Sequence, residues 1–361
     1  MSSSRRSWKA LLVAAAVGIV VTPLVSGPAQ ATTSDAVIEV VATGLKNPRG
    51  ITTLNDGTVL VAEAGEGQVG CAVGAQCVGT TGAVYRVKGS AKGRVATGLA
   101  SVAGGVAAGT PVIASGPVLA VPDPFLGYIV LSGFGGNRDT AGRQALGAHA
   151  KTLGTLFRTR DSKVLADLVD HETRLNPDAG DLNANPADFV RSGSSYLITD
   201  AAANNVVRGG HGTTSTEYVL PKHTLPGGTL AESVPTGIVR SSNGTLYIAD
   251  MSGGNPGASR IWKVEPGQQP QVFVSGLTNV IDLAFDHKGD LLALSYSTSA
   301  LMGAPSAGAL VEIDISTKAT TQIPTGTQLF QPTGLAVAPS GTVYVTNKTV
   351  GTNGELVKVN Y

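Results

Sequence analysis

The chain has 361 residues and a net charge of +1, with 26 Lys and Arg against 25 Asp and Glu and only 14% charged residues. That balance excludes a basic footprint for nucleic acid and a charge-solvated disordered chain. The 47 glycines fall at turns between apolar runs, which marks a turn-rich β protein long enough to bury a large core.

Residues 1–31 read as an export signal, with 32–361 as one mature domain. Arg5, Arg6 and Lys9 form a basic start, Ala10 to Val21 is an apolar run of twelve, and Ala29-Gln-Ala31 is a small-residue cleavage site. Twelve apolar residues are too few to span a bilayer, so no transmembrane segment is expected. Ser4-Arg-Arg-Ser-Trp-Lys9 also fits a twin-arginine signal loosely, and the choice between the two export routes stays open. Removal of 1–31, which holds three cations and no acid, takes the net charge from +1 to −2. The protein is expected to be secreted and monomeric.

The mature chain opens on a strand word, Val41-Ala-Thr-Gly-Leu45, which returns letter for letter at Val95–Leu99. A repeat then runs to the C-terminus: an anchor, usually Pro, an apolar strand, a turn with Gly, and a second strand ending on a polar residue. Its anchor and turn pairs are Pro48/Gly57, a degraded Pro117/Gly127, Pro186/Gly193, Pro235/Gly244, Val280/Gly289 and Pro332/Gly341. Asn-Gly and Lys-Gly at these turns suit hairpins, because Gly and Asn tolerate positive φ. Third strands alternate with period two, as in Arg260-Ile-Trp-Lys-Val264 and Glu355-Leu-Val-Lys-Val359. Anchors are 69, 69, 49, 45 and 52 residues apart. A four-stranded propeller blade takes roughly 40–50 residues, so the two long gaps carry insertions, at about 64–82 and 132–184. The last copy stops at its third strand. We therefore expect an all-β, six-bladed β-propeller in which the N-terminal strand Val37–Leu45 pairs with Glu355–Val359 and closes the last blade.

Cys71 and Cys77 share a Gly-rich loop of the first blade. Two close cysteines in an exported chain are expected to form a disulfide.

Two groups of residues are candidates for chemistry. The first is the polar residue ending each second strand: Glu63, Asp200, Asp250, Ser295 and Asn347, with Gly133 in the degraded copy. A ring of hydrogen-bond acceptors suits a cation or sugar-like ligand. The competing reading is that each caps the next turn's backbone, a role internal to the blade. Arg49, Asp188 and Asp282 lie on first strands, where they would line a central channel. The second group lies in the insertion, Glu172, Asn176, Asp178 and Asp181, where clustered oxygens suit a hard cation such as Ca²⁺. The competing reading there is a solvated Pro- and Gly-containing loop, and part of Asp161 to Arg174 also reads as a fourth strand plus a short helix. The five histidines are scattered without zinc spacing, and neither a nucleophile elbow nor a phosphate loop is present. No catalytic residue is assigned, and no cofactor beyond that divalent cation is expected.

Asn176-Pro-Asp178, Asn185-Pro186, Tyr196-Leu-Ile-Thr-Asp200-Ala-Ala-Ala-Asn204 and the early Asn47-Pro-Arg-Gly50 are together similar to the ScyD/ScyE family of secreted propellers, named from cyanobacterial pigment clusters. The resemblance covers nearly all of the mature chain. It implies an NHL-like six-bladed propeller outside the cytoplasm and leaves its biochemistry open. Ala202 replaces the glycine usual in the family's Asp-Ala-Gly-x-Asn turn, and the added methyl narrows any close approach of a ligand there. Gluconolactonase-type propellers hold a divalent metal with an acidic residue in a Glu-Gly-Pro word. The anchors here read Asn47-Pro48, Gly116-Pro117, Asn185-Pro186, Val234-Pro235 and Gln331-Pro332, so that acid is missing. The two functions carried forward are binding of a small molecule or protein partner at the channel mouth, and a metal-assisted hydrolase or lyase of the gluconolactonase-like type. Fold does not decide between them.

Overall fold

A computed structural model describes residues 35–125, 127–136, 139–225, 227–301 and 306–361. The expected export signal lies outside these residues.

Five anchors start inner strands and the sixth, Pro332, lies two residues before one, and each inner strand heads one sheet. Blade one comprises Pro48–Thr53, Val59–Glu63, Gln76–Lys88 and Ala91–Gly104, with a short fifth strand at Ala114–Ser115. Blade two comprises Pro117–Pro122, Tyr128–Ser132, Thr155–Arg158 and Val164–Asp167. Blades three, four and five begin at Pro186, Pro235 and Val280 and each run through four antiparallel strands. Blade six holds Gly334–Val337, Val343–Asn347 and Gly354–Asn360. Its fourth strand is Val37–Leu45, paired antiparallel with Gly354–Asn360 from Val37 opposite Asn360 to Leu45 opposite Gly354. The toroid is therefore closed by backbone hydrogen bonds between the two ends of the domain, which removes the sheet edges an open ring would leave.

The long gaps are filled partly by strand. In blade one the third and fourth strands extend past the repeat to a hairpin pairing Gln76 with Gly104. A disulfide joins Cys71, in the preceding loop, to Cys77 at the start of the third strand. In blade two the third and fourth strands fall inside the segment expected as insertion, with helix α1 (Thr140–Ala145) before them and helix α2 (Leu168–Leu175) directly after the fourth. Asp167 caps α2 by accepting the Asp170 N–H, and Asn176 ends it at φ 38°.

The core is distributed between neighbouring blades. Leu131, Leu156 and Val169 pack with Phe189 and Ile198 between blades two and three. Leu45 packs with Val59, Val61 and Leu356 between blades six and one. The apolar strand faces therefore bury against the adjacent blade, and each blade depends on its neighbours for its core.

The inner strands approach closely at the axis. A Cβ on Gly237 would lie 2.8 Å from Asp282 Cα, and one on Gly334 would lie 2.3 Å from the Arg49 carbonyl oxygen. Glycine is required at these positions because the next blade's backbone fills the space.

Candidate functional site

The inner strands enclose an axial cavity of about 700 Å³. Its wall is largely aliphatic and aromatic, from Ile51, Leu119, Phe189, Ile238, Phe285 and Leu335 among others. Three charged side chains interrupt it: Arg49 of blade one, Asp188 of blade three and Asp282 of blade five. These are the three inner-strand residues expected to face a channel.

Asp188 and Asp282 are built alike. Asp188 Oδ2 accepts from the Ile238 N–H at 2.8 Å and Oδ1 from the Phe189 N–H at 2.7 Å. Asp282 Oδ2 accepts from the Leu335 N–H at 2.7 Å and Oδ1 from the Leu283 N–H at 2.8 Å. Each carboxyl thus bridges its own blade to the next. Burial pushes Asp188 up to about 7 against the pull of its two backbone donors. Burial raises Asp282 well above the carboxylate range, and the charge of Asp188 raises it further. Two buried carboxyls whose charges interact keep at least one proton at neutral pH.

Arg49 Nη2 donates to the Ala114 carbonyl at 2.9 Å. It has no carboxylate partner among the described residues. Burial lowers its proton affinity, and the nearby Tyr296 hydroxyl, held by Gln331 Nε2 at 2.9 Å, offsets that in part. Sequence reasoning missed Tyr296 and Gln331; their only signal was position, Tyr296 directly after a second-strand end and Gln331 directly before an anchor.

The second-strand ends are elsewhere. Glu63, Asp200, Asp250 and Asn347 are buried, outside the cavity wall, and bonded within their own blades. Glu63 Oε1 accepts from the Lys46 N–H, Asp200 Oδ1 from the Asn185 N–H, Asp250 Oδ1 from the Val234 N–H, and Asn347 Oδ1 from the Phe330 N–H. The shared geometry ties each second strand to the segment leading into its inner strand. In blade two the matching residue is Ser132, which pairs with Pro117; the placement of Gly133 there was off by one. Arg94 grips Glu63 with two hydrogen bonds, at 2.8 and 2.7 Å. Asp250 is met by Arg260 at 3.1 Å and by Trp262 Nε1 at 3.0 Å. Burial pushes Asp250 up, but the donors of Val234, Ser233 and Trp262 and the Arg260 charge outweigh it and hold the carboxyl low. Asp200 is pushed up to about 6 by burial, despite N–H donors from Asn185, Ala202 and Ala203.

The four insertion residues differ in burial and partners. Glu172 is buried on α2, Asn176 is the residue ending that helix, Asp178 binds the Gly180 N–H and Asn204 Nδ2, and Asp181 is exposed. Separately, Asp286, Asp290 and Glu312 bring carboxylate oxygens within 4.8 Å of one another at a blade-five turn, where Lys288 pairs with Glu312. None of the five histidines lines the axial cavity. Among the described residues no helix is long and apolar enough to cross a membrane.

No protein-family model matches the sequence, and no curated protein matches it either. Solved structures match by fold. A Bacteroides thetaiotaomicron protein of unknown function aligns with a TM-score of 0.54 at 10% identity, over 90% of this chain and 72% of that one. A glucose dehydrogenase aligns at 0.50 and 12% identity, over 90% and 99%. A virginiamycin B lyase from Staphylococcus aureus aligns at 0.51 and 11% identity, over 91% of this chain and all of that one. At these identities the likeness is one of fold alone, and the chain is a six-bladed propeller.

Proposed function

We propose that this is an exported propeller of the ScyD/ScyE type whose axial channel binds a small amphipathic molecule, an apolar body with an anionic group directed at Arg49. The observation that carries this reading is a guanidinium without a carboxylate partner among the described residues, in a mainly apolar cavity of about 700 Å³. That volume lies in the range of ligand pockets, roughly 300–1,000 Å³, and a few polar groups in an apolar wall are what fixes a ligand's orientation. The test is a fluorescence titration with anilinonaphthalene sulfonate, which carries both features. Arg49→Met should weaken saturable binding, and the same change at exposed Arg240 should not. Equal binding by all three proteins overturns the assignment.

A second reading, a hydrolase or lyase of the gluconolactonase-like type, draws on Asp188. A carboxyl pushed up to about 7 inside a channel is suited to general acid–base work at neutral pH. Turnover of a lactone by the wild type and its loss in Asp188→Asn, with ligand binding retained, would favour this reading over binding alone.

A further inference from the structure

At the second-strand ends of blades one and four a buried carboxylate is neutralised by arginine, Glu63 by Arg94 and Asp250 by Arg260. Blade three departs from this. Its carboxylate, Asp200, is 1% exposed, and α2 brings a second, Glu172, which is 2% exposed. The charges of Asp200 and of Asp178 both bear on Glu172, adding to the effect of burial. No lysine or arginine pairs with Glu172 or Asp200 among the described residues, and neither oxygen of Glu172 has a hydrogen-bond donor. Asp200 has backbone donors from Asn185, Ala202 and Ala203, but Glu172 has none, and two buried carboxyls without a counter-charge are a cost that native proteins meet with a partner.

The surroundings offer further unused oxygen. Asn205 is the cross-strand partner of Asp200, so their side chains share a face of the sheet. It is 0% exposed and its amide oxygen and nitrogen are both unpartnered. Asn176 lies four residues after Glu172, on the adjacent turn, and its Oδ1 is buried and unpartnered. Its left-handed conformation reverses the chain so that Asp178 returns towards Asn204, whose Nδ2 it binds at 2.7 Å. His171 is engaged elsewhere, with Thr214 and Thr216.

We propose that this cluster binds a hard divalent cation, Ca²⁺, through Glu172, Asn176 and Asn205, with the carboxylates of Asp178 and Asp200 supplying further charge. The ion takes in blade three the place that a guanidinium takes in blades one and four. The donors are carboxylate and amide oxygens only, the set Ca²⁺ accepts, whereas Mg²⁺ prefers to keep its waters. Asp181 is exposed and stands outside the site. None of the members lines the axial cavity, so the cation would clamp α2 and the insertion to blade three rather than act on a channel ligand.

The experiment is calorimetric titration of EDTA-stripped, desalted protein with CaCl₂, together with thermal melts in EDTA and in CaCl₂. The expected result is one stoichiometric site and a melting midpoint that rises with Ca²⁺, the folding constant increasing about 100-fold at 100 times the Kd. Glu172→Gln, a neutral isostere, should abolish measurable binding and make the melt indifferent to Ca²⁺. Asp290→Asn, at the blade-five acidic cluster, should leave the titration unchanged. A wild-type melt that ignores Ca²⁺, or a response that survives Glu172→Gln, overturns the proposal, as does one abolished by Asp290→Asn alone. Should Glu172→Gln fail to fold, Asn205→Ala takes its place, and unchanged Ca²⁺ affinity in that variant is equally fatal.

Discussion

Asp188 Oδ2 accepts the Ile238 N–H at 2.8 Å, so a carboxyl of blade three holds the backbone of blade four at the wall of the channel. Asp282 repeats the bond from blade five to Leu335 of blade six. Alternate blades are thus stitched at the axis by carboxyls, and the blade between them contributes Gly237, whose missing side chain leaves Asp282 its space.

This arrangement sets a pH dependence. Asp188 titrates near 7 in the folded protein, against about 4 for an unfolded aspartate. The folded state therefore keeps a proton that the unfolded chain releases across that interval. A raised carboxyl contributes stability that is fully present below about pH 4 and is lost as the pH climbs through about 7. We expect the melting midpoint to fall between pH 5 and 8, and Asp188→Asn to flatten this part of the slope. Melts in one buffer series at constant ionic strength measure it; a wild-type midpoint that rises over the interval contradicts the assignment.

Much of this architecture was legible because it repeats. All six anchors stand at or just before the start of an inner strand, and the word shared by Val41–Leu45 and Val95–Leu99 identified the closing strand. The rest depended on contacts that no local pattern carries. Thr155–Arg158 is only four residues long and follows a helix and a 3₁₀ turn, so a full strand of blade two read as insertion. Glu172 and Asp181 looked equivalent as acids in one polar stretch; packing of α2 buries the first, and the loop exposes the second. The polar second-strand ends allowed two readings, a ligand ring or a backbone cap within each blade, because they recur at one phase. In blades one, three, four and six they make the same backbone tie, whereas Asp188 and Asp282 reach the cavity from inner strands of blades three and five.

Closure by the N-terminal strand makes its buried positions costly. Leu45 is 0% exposed between blades six and one, while Val40 on the same strand is 50% exposed. Leu45→Ala should cost about 2–5 kcal/mol in chemical denaturation and Val40→Ala well under 1 kcal/mol. Equal, small effects would mean that the ring holds without this strand.

Close approach at the axis gives a second contrast. A methyl on Gly334 meets the Arg49 carbonyl oxygen at 2.3 Å and Gly50 Cα at 3.0 Å, both backbone. Neither can swing aside as a side chain would. Gly334→Ala should destabilise by about 1–3 kcal/mol or more. Gly104→Ala, in the blade-one hairpin, meets nothing nearer than 4.0 Å and should change stability by no more than about 0.5 kcal/mol. A Gly334→Ala protein with an unaltered urea midpoint would show that the inner strands sit further apart than described.

Asp250 provides the sharpest test of the second-strand ties. Its two oxygens receive Val234 N–H, Ser252 N–H, Ser233 Oγ, Trp262 Nε1 and Arg260. Arg260 is only 8% exposed, so removal of the carboxyl leaves a buried guanidinium unpaired, and the ring of Trp262 stacked at 4.5 Å is then its nearest compensation. Asp250→Ala should cost about 3–5 kcal/mol, the scale for breaking a buried pair from one side. In the double variant Asp250→Ala, Arg260→Met the stranded charge is gone, and part of that loss should return. Because neither residue lines the cavity, binding of anilinonaphthalene sulfonate by the folded fraction should stay at the wild-type level. A folded Asp250→Ala protein with lost binding would instead place this carboxylate in the ligand site.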